Sequence, residues 1–429
     1  MSLLAAEFVL VVPVDLAQKP KWTKGPLKLV NLPGTPHEIV SDTSGRARYV
    51  PGSHVPFLLY GDTKDERRWH QSNEETFNFR SERGHDVDFV FTGRELFWIH
   101  DRTPHNALLV VHGRVNGTAE QCLRTLVELS NLDPKHGASI RSALESQLGT
   151  ASLGSGVRRA RLMSLVCPDD AGLPTIASNL EPEWSAKDQW LWYLATAHMP
   201  GTITVSRDSH DQVRSRSIRV TDEWSGFVAS EGVSYVADRL PPAGLAQADA
   251  LRQRKLRFHT IELDAFLLAE AQDVLINRIG DALFQARKGG HHSSQSVAGM
   301  SSPLAAYRLM NWGDRITERG YTNDLFLSLR SVKGIPDRLT ELREDVREAI
   351  TELEAQSAAS RNAALGVLAI LGFPFSSAFA IWAGIEDRTI EGLWTAIASA
   401  AGASLMLSLV IPGLRSIAAQ AIGLKNRIR

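Results

Sequence analysis

Apolar residues follow two different patterns along this chain of 429 residues, and the change falls near residue 240. Before it, short runs rich in the residues that favour strands predict β-strands. The strands are predicted at 8–14, 87–91, 95–99, 107–111, 162–167, 203–205, 214–220 and 232–236, with helices between them at 119–129, 140–148 and 187–198. Strands mixed with helices in this way are typical of an α/β fold. We therefore predict an α/β domain over 1–240, with a sheet that is at least partly antiparallel.

Beyond residue 240 the apolar residues recur at spacings of three and four, which is the period of an amphipathic helix. The longest such pattern covers 250–287, and further helices are predicted over 303–329. A narrow apolar seam of the kind found in coiled coils follows, formed by Leu339, Leu342, Val346, Ala349 and Leu353. These patterns predict a helical region over 241–334 and a coiled-coil-like stalk helix over 335–362.

Two runs near the end of the chain, 363–385 and 392–411, contain no ionisable side chain. A helix of about 20 residues is long enough to span the hydrocarbon core of a bilayer, so we predict two transmembrane helices joined by an outer loop over 386–391. A buried helical hairpin of a large soluble domain is the alternative. The predicted fold class is thus an α/β cytoplasmic domain followed by long helices and a C-terminal two-helix transmembrane hairpin.

Basic residues lie on both outer flanks of this hairpin, whereas the loop between the runs is acidic. The positive-inside rule then places both termini, including a basic cytoplasmic tail over 412–429, in the cytoplasm. The expected location is the inner membrane, as a multi-pass protein in contact with the lipid bilayer.

Charge is nearly balanced over the whole chain, with 47 Lys and Arg against 48 Asp and Glu. No net field therefore indicates a nucleic acid as partner. The two cysteines, Cys122 and Cys167, form neither a spaced disulfide pattern nor a zinc pattern, which fits a reducing compartment.

A short glycine-containing run in the predicted α/β domain is a weak candidate for binding a nucleotide or phosphate. Gly154 and Gly156 could let the backbone approach a phosphate beside Arg158 and Arg159. The run lacks the Lys-Ser/Thr of a P-loop and the third glycine of a dinucleotide-binding turn. A plain surface loop is the alternative.

Histidines cluster around the end of a predicted strand, at His100, His105 and His112, with Asp101 among them. A metal site or an acid–base pair would use these residue types, but their spacing matches no zinc pattern. Histidines at the surface or at a strand edge are the alternative, and we expect no metal site.

Two sets of residues have the side chains of hydrolytic catalysis: His85 with Asp86, and Ser206 with His210 and Asp211. Neither set lies in a nucleophile elbow or beside a catalytic cysteine. We therefore predict no catalytic residue and do not expect an enzyme.

The order of the predicted parts resembles the CorA-type magnesium channel superfamily, in which a stalk helix runs into the first of two C-terminal spans. Asn362 directly before the first span is similar to the family, as is the apolar run up to Ile385 with Pro374 in its middle. Where the family has Gly-Met-Asn, this chain has Ala383, Gly384 and Ile385.

The resemblance implies a homo-oligomer, a pentamer in the family, whose first span lines a pore. On the helical face that begins at the inner mouth, the implied pore-lining residues are Asn362, Leu365, Ala369, Gly372, Ser376, Phe379 and Ala383. At the outer mouth, Glu386 and Asp387 would attract cations. The implied function is a divalent cation channel or transporter gated by the cytoplasmic domain. Its cofactor is unknown, with Mg²⁺ as transported ion or regulator.

A second hypothesis from the same sequence is a membrane-anchored sensor or effector in stress or defence signalling. Here the hairpin would anchor or perturb the membrane without ion selectivity, and the cytoplasmic domain would bind an unknown ligand or protein. The absence of Gly-Met-Asn favours this second hypothesis, and Asn362 at the end of a continuous stalk favours the first.

Overall fold

The computed structural model describes residues 3–27, 54–61, 66–100, 105–154, 156–168, 172–176, 184–200, 205–221, 223–237, 245–288, 316–317, 320–348, 351, 394–395 and 398. The chain divides into two compact units. The first comprises Met1–Ala282 with Gly299–Leu342, and the second comprises Leu283–Ala298 with Arg343–Arg429. All of the sheet lies in the first unit.

The strands join into one sheet of 11 strands, in the order β2-β3-β5-β6-β1-β8-β11-β10-β9, with β4 paired to β5 and β7 to β1. All pairs are antiparallel except β8 with β11. The strand bounds are β1 Leu3–Leu16, β2 Thr23–Lys24, β3 Arg68–Gln71, β4 Glu75–Arg80, β5 Asp86–Trp98, β6 Ala107–Thr118, β7 Ala151–Leu153, β8 Arg161–Cys167, β9 Ser217–Thr221, β10 Trp224–Val228 and β11 Gly232–Ala237.

Helices cover both faces of the sheet. Their bounds are α1 His54–Tyr60, α2 Ala119–Leu129, α3 Ala138–Glu145, α4 Ala186–Thr196, α5 Arg207–Arg216, α6 Leu245–Arg257, α7 Leu263–Lys288 and α8 Gly320–Val332. A five-residue π-helical stretch, Phe258–Glu262, joins α6 to α7 and is called the π-segment below.

Strand β1 shows why the two faces differ, because successive side chains of a strand point to opposite sides. Phe8, Leu10 and Val12 belong to the main apolar core, together with buried residues of α2, α3 and α4. This side is called the first face. Glu7, directly before Phe8, points to the opposite side. It contacts Lys255 of α6 and His259 of the π-segment, on what is called the second face.

Helices α2 and α4 begin at capped N-termini. Thr118 and Gln121 form a reciprocal capping box at α2, and the side chain of Ser185 accepts a hydrogen bond from the Asp188 N–H at α4. Helix α4 ends at Ala197 in the left-handed conformation. These two helices pack against the first face and position the candidate site described below.

The observed elements differ from the predicted ones in several places. Helix α1 and strands β2, β3, β4, β7 and β10 were not predicted, and the predicted strand 203–205 is not observed at residue 205, its other two residues lying outside the described ones. The predicted strands 87–91 and 95–99 are a single strand, β5, which continues through an irregularity between Phe91 and Gly93. Residues 207–216, which overlap the predicted strand 214–220, form helix α5, and strand β9 begins only at Ser217. Ser206 caps this helix, a signal that the apolar pattern alone does not contain.

No helix within the described ranges is both long enough and apolar enough to cross a lipid bilayer. On this finding the predicted fold class with its C-terminal two-helix transmembrane hairpin is wrong. The predicted multi-pass location in the inner membrane, with both termini in the cytoplasm, is wrong with it. Helix α7 has the length, at 26 residues, but carries Asp264, Glu270, Asp273 and Arg278. Ionisable side chains are too costly in hydrocarbon for such a helix to span a membrane.

The prediction relied on the absence of charge in 363–385 and 392–411, and this is a weaker criterion than apolarity. Both runs contain many Ala, Gly and Ser residues, which contribute less to membrane insertion than Leu, Ile, Val and Phe. The runs, the loop 386–391 and the residues implied to line a pore or its mouth lie outside the described residues. Residues 335–348 of the predicted stalk are helical, and all but one of those that follow up to 362 lie outside the description.

Candidate anion-binding cavity

A cavity of about 640 Å³ lies between the start of α2 and the end of α4. Arg83 and His85, from the connection of β4 to β5, form another side of it, and residues 174–176 and Arg159 complete the lining. This volume is within the range of pockets that hold small-molecule ligands. Every lining residue belongs to the first compact unit.

Part of the cavity wall is apolar, formed by Leu123, Ile176, Trp190 and Met199 with two prolines. The Trp190 indole N–H donates to the Pro174 carbonyl at 2.9 Å, and the Ile176 N–H donates to the Gln189 side chain at 3.0 Å. These bonds hold residues 174–176 against α4. Hydrogen bonds between the lining segment and α4 therefore fix the apolar wall.

The remaining wall is cationic. Arg83, Arg124 and Arg159 line the cavity together with His85 and His198. Among the described lining residues, Glu120 has the one carboxylate that can balance these groups. The Arg83 guanidinium also lies 3.7 Å from the buried carboxylate of Glu128, so part of its charge is balanced outside the cavity. A surplus of positive charge remains at the wall.

Arg124 is held by two acceptors. It pairs with Glu120 one helical turn earlier, and its guanidinium lies 3.1 Å from Nδ1 of His85. Arginine can only donate, so Nδ1 of His85 must accept and the ring proton must reside on Nε2. This geometry requires a neutral His85. It fixes the orientation of the Arg124 guanidinium, which keeps its charge.

The two histidines of the wall are less basic than usual. Burial, followed by the charges of Arg124 and Arg83, lowers the pKa of His85. Burial and the charge of Arg159 lower the pKa of His198. A guanidinium beside an imidazole disfavours a second positive charge, which lowers the pKa of the imidazole. An anion bound near the arginines would offset this effect.

Arg158 and Arg159 differ in direction because the backbone here is strand-like. Asn131 pairs with Arg159 as an isolated bridge, and the Ala160 N–H donates to the Ser130 carbonyl at 2.9 Å. Neighbouring side chains then point to opposite sides. Arg159 lines the cavity, whereas the Arg158 side chain is 76% exposed and lies 3.9 Å from Asp133.

Of the four residues predicted to bind a phosphate, the structure brings one, Arg159, to the cavity. Gly154 packs against the ring of His105, and its carbonyl accepts from Arg141 at 3.4 Å. Gly156 has open space where a side chain would be. The glycines therefore do not cradle the same site as Arg159.

The histidines that lie close in sequence near residue 100 do not meet in the structure. His112 is buried on the second face, the His105 N–H donates to Asp15, and the His100 ring lies 3.0 Å from Arg278. Asp101 lies outside the described residues. Within the described residues there is no group of three or more His, Cys, Asp or Glu suited to a metal ion.

The residues with hydrolytic side chains do not form a catalytic arrangement. The hydroxyl of Ser206 accepts the Ser209 N–H at the start of α5, and His210 lies 3.6 Å from Asp188 and packs against Trp184. His85 lines the cavity, but its Nδ1 is occupied by Arg124. Neither set shows a nucleophile beside a base.

The second face contains a chain of buried polar groups that sequence reasoning missed. Arg68 contacts both Glu95 and Asp264, and Tyr60 donates to Asp264. The chain continues from Glu95 to His112, from His112 to His259, and from His259 to Glu7, at 2.8, 3.0 and 3.6 Å respectively. Its members are far apart in sequence, so only the strand register reveals them.

Beside this chain, Arg254 and Glu262 form a bidentate pair across the π-segment, with Nη2 2.8 Å from Oε2. The Arg254 guanidinium also lies 4.3 Å from the centre of the Tyr235 ring. Charged groups on the second face therefore find partners inside the fold, unlike the surplus at the cavity.

Sequence reasoning also missed Arg83, Arg124 and His198 at the cavity. One usable signal existed, because Thr118 and Gln121 mark a helix start and Glu120 and Arg124 lie one turn apart on it. The positions of Arg83 and His198 depend on how β4, β5 and α4 come together, which no local pattern encodes.

Protein-family models, curated proteins and solved structures were each compared with this chain, and none of them matches it. The resemblance to the CorA-type superfamily therefore stays a prediction, as does the homo-oligomeric state.

Proposed function

We propose that the first compact unit is a ligand-binding sensor module whose cavity takes a small anion attached to an apolar body. The observation that carries this proposal is the wall itself, where three arginines and two histidines face one carboxylate in a cavity with an apolar side. Pockets with an apolar lining and a few convergent polar groups are the usual form of small-molecule sites.

The ligand chemistry follows from the donors. Guanidinium groups make their strongest hydrogen bonds to carboxylate and phosphate oxygens, and they do so with fixed geometry. The start of α2, at Thr118 and Ala119, adds the positive end of its helix dipole, while the Thr118 N–H itself donates to the Gln121 side chain in the capping box. At the end of α4, the Leu194 and Tyr193 carbonyls accept from the Ala197 and His198 N–H groups, which leaves fewer carbonyls there to oppose an anion.

The proposed cavity binds its ligand and does not convert it. The hydroxyl of Thr118 accepts the Gln121 N–H, and Nδ1 of His85 accepts from Arg124, so neither is arranged as a nucleophile or a base. A cation channel is not proposed, because it requires the transmembrane hairpin. The proposal develops the ligand-sensing part of the sensor hypothesis alone.

The test uses phenyl phosphate as probe and isothermal titration calorimetry of the full chain. Arg159→Ala is expected to weaken binding about 10-fold or more, the usual effect of losing a charge-assisted hydrogen bond. Arg158→Ala is the matched control, since it removes the same charge from the next residue outside the cavity. Its effect is expected to stay within about twofold.

Two results would contradict the proposal. The first is the absence of binding by the wild-type chain to phenyl phosphate and to phenylacetate, an equally compact carboxylate. The second is equal weakening by both variants, which would indicate attraction by overall charge instead of a site. Circular dichroism melting of each variant separates lost binding from lost folding.

A further inference from the structure

Glu120 occupies an unusual position for an acidic residue. It lines the cavity, it has the one carboxylate among the described lining residues, and it pairs with the Arg124 guanidinium. Its side chain is 72% exposed. A carboxylate in water, four residues before its arginine, is held weakly and can leave at small cost.

Arg124, by contrast, is held in place when Glu120 leaves. The bond from its guanidinium to Nδ1 of His85, at 3.1 Å, comes from a different element, the connection of β4 to β5. Arg124 is also less exposed than Glu120, at 42% of its side chain. Arg124 therefore keeps its orientation through His85 when an anion replaces the Glu120 carboxylate.

We propose that Glu120 is a built-in competitor, which occupies Arg124 in the empty cavity and is displaced by the anion of the ligand. This inference rests on the function proposed above. It assigns a role to a residue that otherwise only opposes binding, since a carboxylate at the wall repels an incoming anion. The built-in competitor sets the ligand concentration at which the cavity fills.

Displacement also provides a signal. When the ligand takes Arg124, the Glu120 carboxylate, which is already mostly exposed, loses its ion pair and becomes an unpaired negative charge at the start of α2. The surface of the module therefore differs between the empty and the filled state without any movement of the strands. A sensor needs such a difference to report its ligand.

The experiment measures the dissociation constant of phenyl phosphate for the wild-type chain and for Glu120→Gln. Loss of the competitor, together with loss of its negative charge, is expected to tighten binding about two- to fivefold. Both anion types should gain, because an internal competitor reduces the affinity of every ligand that must displace it. Phenylacetate is therefore measured as a second probe.

Glu145→Gln is the matched control. Glu145 pairs with Arg141 at the same spacing of four residues, at 3.0 Å, on helix α3, and neither residue lines the cavity. This variant removes the same charge from a comparable pair and is expected to leave the dissociation constant unchanged.

The outcomes separate the two proposals. If the wild type binds and Arg159→Ala weakens binding, but Glu120→Gln matches Glu145→Gln, the competitor is refuted and the site stands. If Glu120→Gln weakens binding, Glu120 is a ligand contact and the competitor is refuted as well. If the wild type binds neither probe, the proposed function itself fails.

Discussion

The two faces of the sheet use the same kinds of charged side chain in opposite ways. On the second face, Arg68 and Arg254 are fully buried and each contacts carboxylates within the fold. At the cavity on the first face, Arg159 makes no ion pair with any described residue, and Arg124 has only a solvent-exposed carboxylate and a neutral imidazole. Charges that the fold satisfies hold it together, and charges that it leaves in surplus are available to a ligand.

The largest expected effect lies on the second face, where Arg68→Met removes the cation that Glu95 and Asp264 both contact. Leaving carboxylates buried without that cation is expected to cost about 3–5 kcal/mol of unfolding free energy. Denaturant titration measures it. Arg114→Ala, which removes an exposed pair with Glu74, is the control and is expected to cost under about 1 kcal/mol. A similar small loss for both variants would break the comparison of the faces.

On the first face the corresponding loss comes from apolar packing. Leu126 of α2 is fully buried in the main core, so Leu126→Ala is expected to cost about 2–5 kcal/mol through lost burial and the cavity left behind. Leu327→Ala, at an exposed apolar residue of α8, serves as control with a much smaller loss. Unlike Arg68→Met, the Leu126 variant should lose the same amount at pH 5 and at pH 8. A strong pH dependence would contradict the apolar character of this face.

Acid should destabilise the second face through Glu7. Burial alone would raise the pKa of Glu7, but its hydrogen bond and charge interaction with His259, and the charge of Lys255, lower it from 4.5 to about 2. A carboxylate with a depressed pKa adds stability above its unfolded pKa, and that stability is lost as the pH falls from about 4.5 to 2. The loss amounts to about 3 kcal/mol at most.

Glu7→Gln should therefore flatten this part of the stability curve, measured by denaturant titration between pH 5 and pH 2.5. Glu74→Gln, at an exposed carboxylate, is the control that should leave the curve unchanged. If Glu7→Gln and Glu74→Gln give the same curve, the carboxylate of Glu7 does not stabilise the second face in the way described.

The smallest expected effect is the pH dependence of anion binding. His85 and His198 are kept neutral by burial and by neighbouring arginines, which lower the pKa of both. A bound anion favours the protonated imidazole of His198, whereas His85 stays neutral because its Nδ1 accepts from Arg124, so binding takes up a proton and affinity should rise a few-fold as the pH falls from 7 to 5. Phenyl sulfate is the suitable probe, because its charge is constant over this range.

His198→Gln should remove most of this pH dependence, while His136→Gln outside the cavity should not. Wild-type affinity for phenyl sulfate that stays level, or falls, on acidification would mean that His198 does not face the bound anion.

Local patterns predicted the helix Ala119–Leu129 with the bounds that the structure has, because its apolar stripe and its Thr118 cap lie in one short segment. They predicted one residue of the cavity, Arg159, but as part of a phosphate-binding glycine run. In the structure Arg159 reaches the cavity because its bridge with Asn131 turns its side chain that way. The wall joins residues 83, 124, 159 and 198, which meet only after the strands have paired. On the second face, Arg68 and Asp264 lie 196 residues apart. No period along the sequence encodes contacts of that range.

The transmembrane hairpin was predicted from uncharged length, and this part of the reading is wrong. Absence of charge is a local property that many helices share, whereas membrane insertion depends on the summed transfer free energy of the side chains. The same holds for the charged groups of the two sheet faces, whose role depends on the groups that surround them.

A crystal structure of the full chain with 4-bromophenyl phosphate tests the central claim most directly, because anomalous scattering locates the bromine independently of the protein. The expected result is a bromine peak in the cavity beside Leu123 and Ile176, with the phosphate at Arg124 and Arg159. An empty cavity, at a ligand concentration that saturates binding in calorimetry, would contradict the account.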